Sequence, residues 1–330
     1  MAERIRLADL GFGLPPGMAV RTSLVAAALA RAVGLDDDEV RDVFHTALLM
    51  HIGCVAVAHE SAAAFGDDIA LNRAVSRSNL ADPGDITATL VPELTRGMAP
   101  DLAGRARAFA LSGEAQEWGR RTDTGVCEVA RDTARRLGLS ATIQLALYHV
   151  FEAWVGGGAP SRLKGDDIPI ASRVARVAMD AAFFDQLGGV EAAVGAVRAR
   201  AGVIVDPAVA ATFVAQAGEI VEEGQRGDPR QRLLEVDPEP VVERDGSDLA
   251  AVATAFGDLA DVKVPFMHGH AQEVTRLAVG AARRLRLADH DVAHLENAAL
   301  LHDVGRVTAI RQAGQLIVRR EQFQALQGIA

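Results

Sequence analysis

Residues 18–54, MAVRTSLVAAALARAVGLDDDEVRDVFHTALLMHIGC, lie without a gap over residues 270–306, HAQEVTRLAVGAARRLRLADHDVAHLENAALLHDVGR, at an offset of 252. Identities include Ala26/Ala278, Arg31/Arg283, Leu35/Leu287, Asp37/Asp289, Val40/Val292, Ala47-Leu48-Leu49 over Ala299-Leu300-Leu301, and Gly53/Gly305. A register held across two helices and their turn means that one helical hairpin is present twice. The period inside it is helical. Val40, Val43, Phe44, Ala47 and Leu48 form one stripe behind an acidic first turn, and Val292, Leu295, Ala299 and His302 repeat the 3–4 spacing, placing His302 on the apolar face.

Outward from the hairpins the same texture continues. Residues 128–137 read as a helix stopped at Gly138, and 141–154 as another ended by Gly156-Gly157-Gly158. Segments 170–184, 190–200, 207–223 and 248–259 are helical as well. No segment alternates convincingly, Val203-Ile204-Val205 and Ile317-Val318 being the short β-branched candidates, so the expected fold class is all-α. Between 224 and 247, Pro229, Pro238 and Pro240 amid dense charge read as a linker, dividing the chain into 1–223 and 248–330.

Composition narrows the function classes. The chain has 330 residues, 49% hydrophobic, and its aromatics are 11 Phe, two Trp and one Tyr, so the core is built from Ala, Val and Leu. A net charge of −10 and few aromatic platforms argue against direct DNA or RNA binding. Cys54 and Cys127 make no disulfide framework and suit a reducing compartment. With no signal-peptide h-region and no membrane-length apolar run read in the sequence, the expected location is the cytoplasm, without membrane association. Five of the nine histidines fall between residues 268 and 302.

His302 and Asp303 sit side by side at an inward helix end, and the hairpin brings His270 toward them. Two imidazoles and a carboxylate can hold one divalent metal, which relieves the cost of burying them, lowers the pKa of a bound water and polarises a phosphoryl oxygen. The plainer reading of His302 and Asp303 is a hydrogen-bonded pair capping a core helix. His268, His290 and His294 read as solvated, His268 being near enough to His270 to join a weak site.

GHAQEV at 269–274 followed by AALLHDVGRV at 298–307 resembles the HD phosphohydrolase superfamily, and in detail its HD-GYP branch; DLADVKVPFMHGH at 258–270 resembles the lead-in to such domains. The resemblance implies an HD-domain-type helical bundle that hydrolyses phosphodiesters such as cyclic di-GMP, with His270, His302 and Asp303 as metal ligands and Fe, Mn or a similar divalent ion as cofactor. Residues 125–215 resemble the later half of such a domain. The expected organisation is therefore one complete copy over about 18–220 and the beginning of a second over 248–310.

In the complete copy the ligand positions carry the wrong chemistry. Met18 stands where His270 stands, Met50 and His51 replace His302 and Asp303, Val150 and Phe151 fall at the family's two later histidines, Val155 and Ala159 at the loop aspartate and tyrosine, and Met179 at the late aspartate. Such residues are poor ligands for hard divalent ions and good core fillers, so this site is expected to be hydrophobic core. His51, His149, Glu152 and Asp180 each stand one position from a family ligand, about 100° away around a helix, and are expected to point elsewhere. Arg162 and Lys164 are candidate phosphate contacts, or else solvated surface. In the second copy, 27 residues follow Asp303 with no His or Asp and with Glu321 as the sole carboxylate, so completion by a partner chain is one expectation. The functional expectation is a non-catalytic HD-GYP-like protein acting in regulation or scaffolding, through a protein partner, a homodimer or a nucleotide ligand. The alternative is a metal-dependent phosphodiesterase using His270, His302 and Asp303.

Overall fold

Both hairpins begin at a glycine in the left-handed region, Gly17 (φ 87°) and Gly269 (φ 78°). Upstream of each, a buried aspartate folds back onto the new helix. Asp9 accepts N–H bonds from Gly17 (2.9 Å) and Ala19 (3.0 Å), and Asp261 accepts one from Ala271 (2.9 Å). A carboxylate at a helix N-terminus both satisfies orphan N–H groups and faces the positive end of the dipole. The repeat thus extends upstream of the hairpin, with Leu7-Ala8-Asp9 lying over Leu259-Ala260-Asp261.

The structure, a computed structural model, describes residues 9, 12–65, 67–236, 246–263, 265–308, 310–312 and 315–317. The first hairpin is Met18–Val33 with Asp37–Leu49, the second His270–Arg284 with Asp289–Leu301, in the same register throughout. The turn in the first copy passes through Gly34 (φ 90°); its counterpart in the second, Arg286, adopts φ 58°. A side chain there costs about 1 kcal/mol, so the backbone is dictated by the hairpin and not by the residue. Asp36 and Glu39 close a reciprocal capping box at the start of Asp37–Leu49.

Met18–Val33 is the central helix of the first copy, covered by Asp37–Leu49, Ile170–Arg200 and Ala217–Gln225. Its small residues let neighbours approach closely: a Cβ on Gly224 would meet Val25 Cγ2 at 2.6 Å. Ile170–Arg200 is interrupted at Gly188 and Gly189 (φ 75°), as the two expected segments implied. Elsewhere the helix bounds move. The helix expected over 128–137 begins at Gly113, capped by Ser112, and the one expected over 141–154 ends at Tyr148, before the chain turns. Residues 207–223 divide into Pro207–Ala215 and Ala217–Gln225, which crosses the expected boundary at 223. A second apolar cluster, Leu71, Ala74, Ile86, Leu90, Val91 and Leu94, supports the short helices that follow the first hairpin.

The expected linker at 224–247 is structured in part. Pro229–Val236 is a helix that buries Leu233 against the first copy, with Arg232 bonded to Glu223 and Glu235; residues 237–245 lie outside the described residues. Helix Gly246–Val262 then bridges the copies, touching 52–57 and Gly113–Arg136 on one side and the second hairpin on the other. Asp258 on this helix takes Arg136 of the first copy and Gln272 of the second. Among the described residues the chain is all-α apart from a short antiparallel ribbon, Ile310–Gln312 with Gln315–Ile317; Val205 makes only an isolated bridge to Ala201, and Val318 lies outside the described residues. One stretch, Asp37–Ala62, is long and apolar enough to cross a membrane, and most of it is buried against the rest of the protein, as a core helix would be.

Gly257 sets the spacing between the bridging helix and the second hairpin, since a Cβ there would lie 2.5 Å from the Leu300 carbonyl oxygen and 3.1 Å from Ala271 Cβ. Gly257→Ala is predicted to destabilise the protein by about 1–3 kcal/mol through overpacking. Gly280→Ala, where a Cβ would meet nothing within 4 Å, is predicted to be neutral or to stabilise by up to about 1 kcal/mol. Urea unfolding of the two variants checks this; equal midpoints would contradict the packing described.

Candidate metal centre

The hairpin geometry brings His270, at the first turn of one helix, to His302 and Asp303, at the end of the next. One ligand atom from each lies within 4.8 Å of the others, and among the described residues no other group of three His, Cys, Asp or Glu side chains converges in this way. His270 Nε2 and His302 Nε2 stand 3.5 and 3.4 Å from Asp303 Oδ2, and the two rings lie 5.3 Å apart. His302 Nδ1 is 2.7 Å from the Ala299 carbonyl oxygen. A carbonyl only accepts, so Nδ1 carries the proton and the Nε2 lone pair faces the cluster, the tautomer a metal ligand requires.

A divalent ion fits these residues. Two imidazole nitrogens and a carboxylate oxygen are a donor set for Fe, Mn or Zn, and the outward bond from His302 fixes its ring as such sites need. Arg306 Nη1 lies 2.7 Å from Asp303 Oδ2, a cation already paired with the one anionic donor. The site is open to solvent: the side chains of His270 and His302 are each 35% exposed, so His302 is less buried than its place on the apolar stripe implied. His268, His290 and His294 are exposed and stand outside the cluster.

The first copy places Met18, Met50 and His51 at the equivalent points. Met18 and Met50 are buried, as expected of core fillers, and Met179 is partly buried beside them. Val155 is not core: it is 58% exposed in the loop after Trp154. His51 and Asp180 do not point elsewhere either. Both line, with Met18, Met179 and Phe183, a void of about 10 Å3, about the space one water occupies. Nor is the converted site simply apolar. Asp180 is buried against Arg200 (2.8 Å), and Arg176 lies over the Phe151 ring with Nη1 3.8 Å from Met179 Sδ. Burial raises the Asp180 carboxyl against the pull of Arg200 and Arg176, raises Asp123 to about 7 with Arg176 opposing, and lowers Arg176. Burial also pushes His51 down to about 3, Arg176 adding to the effect; its ring is neutral and stacked on Phe12 at 4.8 Å. A guanidinium on Ile170–Arg200 therefore supplies the internal cation here. Sequence reading missed it because an arginine in a helix ordinarily reads as surface.

His149 and Glu152 pair with each other (3.3 Å), and Glu152 also accepts the Ser161 N–H (2.7 Å). Arg162 and Lys164 are exposed, Arg162 facing Glu117 at 3.9 Å. Cys54 and Cys127 are free and buried, with Cys127 raised to about 12 and Cys54 raised as well, both chiefly by burial, so neither is a reactive thiolate.

Comparison with known proteins agrees with the architecture. The chain is 26% identical over 310 residues to 3'3'-cGAMP-specific phosphodiesterase 3 of Vibrio cholerae serotype O1, covering 91% of this chain and 65% of that enzyme. The crystal structure of the cyclic GMP-AMP specific phosphodiesterase V-cGAP3 of V. cholerae matches with a TM-score of 0.67 and 26% identity, covering 92% of this chain and 69% of that one. This similarity over most of the chain supports the resemblance to the HD/HD-GYP superfamily. A shorter match, 41% identical over 78 residues, is to 3'3'-cGAMP-specific phosphodiesterase 2 of the same organism, covering 23% of this chain and 14% of that enzyme. No protein-family model matches the chain. The chain spans about two thirds of the length of phosphodiesterase 3.

The buried His51 ring gives the first copy an acid sensitivity of known sign. Its folded pKa of about 3 lies below the ordinary 6.5, so between those values the unfolded chain binds a proton that the fold does not, and stability falls as pH falls. Asp123, held at about 7 against 3.8, acts oppositely: over pH 3.8–7 the fold keeps a proton the unfolded chain lacks, and stability falls as pH rises. His51→Leu is predicted to gain on the wild type by up to about 1.4 kcal/mol for each pH unit below 6.5. Chemical denaturation at pH 7.5, 6 and 4.5 measures the difference; a pH-independent difference would mean that His51 takes up a proton in the fold as readily as in the unfolded chain.

Proposed function

We propose that the second copy performs metal-dependent phosphodiester hydrolysis on a cyclic dinucleotide, and that the first copy is a non-catalytic scaffold for it. The observation carrying this reading is the convergence of His270, His302 and Asp303 on helix ends that the first copy repeats with Met18, Met50 and His51. The 3'3'-cGAMP specificity in the names of the Vibrio relatives supports the substrate class. On this reading residues 1–223 are the scaffold, 248–330 carry the site, and 224–247 join them.

His270, His302 and Asp303 would hold the ion, which when bound supplies an activated water and charge stabilisation at phosphorus. The chain's own contributions are positional. Ala299 O holds the His302 tautomer, and Asp261 fixes the helix turn that carries His270. Arg306 holds Asp303 in place and offers a planar cation beside the cluster whose fork matches a phosphate. A second reading, regulation without catalysis, is favoured by the same Arg306–Asp303 pair, which neutralises the carboxylate without any ion.

Metal analysis combined with hydrolysis of 3'3'-cGAMP and cyclic di-GMP separates the two. The wild-type chain loaded with Mn or Fe is predicted to cleave at least one of them, and His302→Ala/Asp303→Ala to lose both bound metal and at least about 100-fold in rate. Folded, metal-loaded wild type that cleaves neither would leave the regulatory reading in its place.

A further inference from the structure

The two copies share the sequence Leu-Ala-Asp before each hairpin, but two positions later they part: Lys263 stands where the first copy has Gly11. The hairpin motif therefore does not itself require this lysine. Lys263 is fully buried, and its Nζ lies 3.1 Å from Oδ2 of Asp68, also buried, on helix Asp68–Arg77 of the first copy. Burying both charges of an ion pair costs several kcal/mol of desolvation and seldom adds net stability over an apolar pair; the best-attested gain is a fixed register.

That register is set beside the metal cluster. Lys263 follows by two residues Asp261, whose carboxylate holds the Ala271 N–H at 2.9 Å, and Ala271 is next to His270. A second path runs parallel to it: Arg136 of the first copy pairs with Asp258, which accepts from Gln272 Nε2 at 2.8 Å, again on the first turn of His270–Arg284. Both links from the first copy end on the turn that carries His270. Neither ends at His302 or Asp303, whose helix is located by the close approach of Gly257 to the Leu300 carbonyl.

We propose that Lys263 and Asp68 are positioning residues: their buried pair anchors the His270 turn to the first copy and sets the distance of His270 from His302 and Asp303. The first copy, stripped of ligands, thereby keeps a part in the site of the second. This rests on reading the three residues as a metal site, and its test separates the two ideas.

Either single substitution removes one charge of a buried pair and is expected to destabilise the junction, so the deciding variant is Lys263→Met/Asp68→Leu, which removes both charges of the directional pair together. The readouts are the thermal midpoint, Mn2+ affinity by titration, and hydrogen exchange of the Ala271 amide in metal-free protein. The double variant is expected to keep a thermal midpoint near wild type, to bind Mn2+ about 10- to 100-fold more weakly, and to exchange Ala271 at least about tenfold faster. Lys263→Arg, which keeps the charge, should stay near wild type in both. Wild-type midpoint, Mn2+ affinity and Ala271 exchange in the double variant would overturn the proposal, leaving the pair as packing alone. If wild type itself takes up no Mn2+, the metal-site reading fails separately, and the Ala271 exchange rate still decides whether the pair positions the turn.

Discussion

Asp9 accepts the N–H groups of Gly17 and Ala19, Asp261 accepts that of Ala271, and in each copy this buried carboxylate fixes the first turn of the hairpin helix. Everything at the mouth of the hairpin follows from it. With that turn fixed and the Gly17 or Gly269 backbone held left-handed, residue 18 or 270 faces the end of the next helix, where 50 and 51 or 302 and 303 stand. The convergence that a metal centre needs is thus built into the backbone before any ligand is chosen. A carboxylate at a helix N-terminus contributes about 0.3–1 kcal/mol when exposed and up to about 2 when partly buried, enough to explain its retention in a copy that has given up the ligands.

The same backbone has been filled in two ways. In the second copy the mouth holds two imidazoles and a carboxylate, partly exposed and already oriented, with Arg306 beside them. In the first it holds Met18, Met50 and a neutral His51, and near them a set of charges in which buried Asp180 pairs with buried Arg200 and half-buried Arg176 acts on Asp123 and Asp180. Loss of ligands did not leave a uniformly oily core. Buried carboxylates in that region still need a cation, and arginine side chains from Ile170–Arg200 provide it. The copies are joined by a helix that touches both helices of the second hairpin, and its side-chain bonds from Asp258 and Asp261 reach the His270 turn.

Much of this was legible in the residues. The gapless repeat gave both hairpins in one register, because an apolar stripe of period 3.6 leaves few alternatives. The ligand trio was legible too, since His302 and Asp303 close a helix and His270 opens its partner. What escaped reading has physical causes. The Lys263–Asp68 pair and the Arg176 cluster join positions far apart in sequence, which no local period records. Pro229–Val236 looked like linker because charge hides the buried side chain of Leu233 that docks it. The 141–154 helix was drawn too long because its apolar run continues past Tyr148 while the backbone turns. Val155 shows the reverse error, an apolar residue at a former ligand position that faces solvent. Asp9 and Asp261 were within reach, since carrying the offset of 252 nine residues upstream of Met18 and His270 aligns them.

On the proposed function the second copy binds a catalytic metal and the first does not, on the same backbone. Anomalous diffraction at the Mn absorption edge from crystals of the Mn-loaded protein tests it most directly. The account predicts one peak within coordination distance of His270 Nε2, His302 Nε2 and an Asp303 carboxylate oxygen, with Arg306 displaced from Asp303, and no peak among Met18, Met50 and His51. A peak in the first copy, or a protein soaked in Mn that shows none at the three residues, would contradict it.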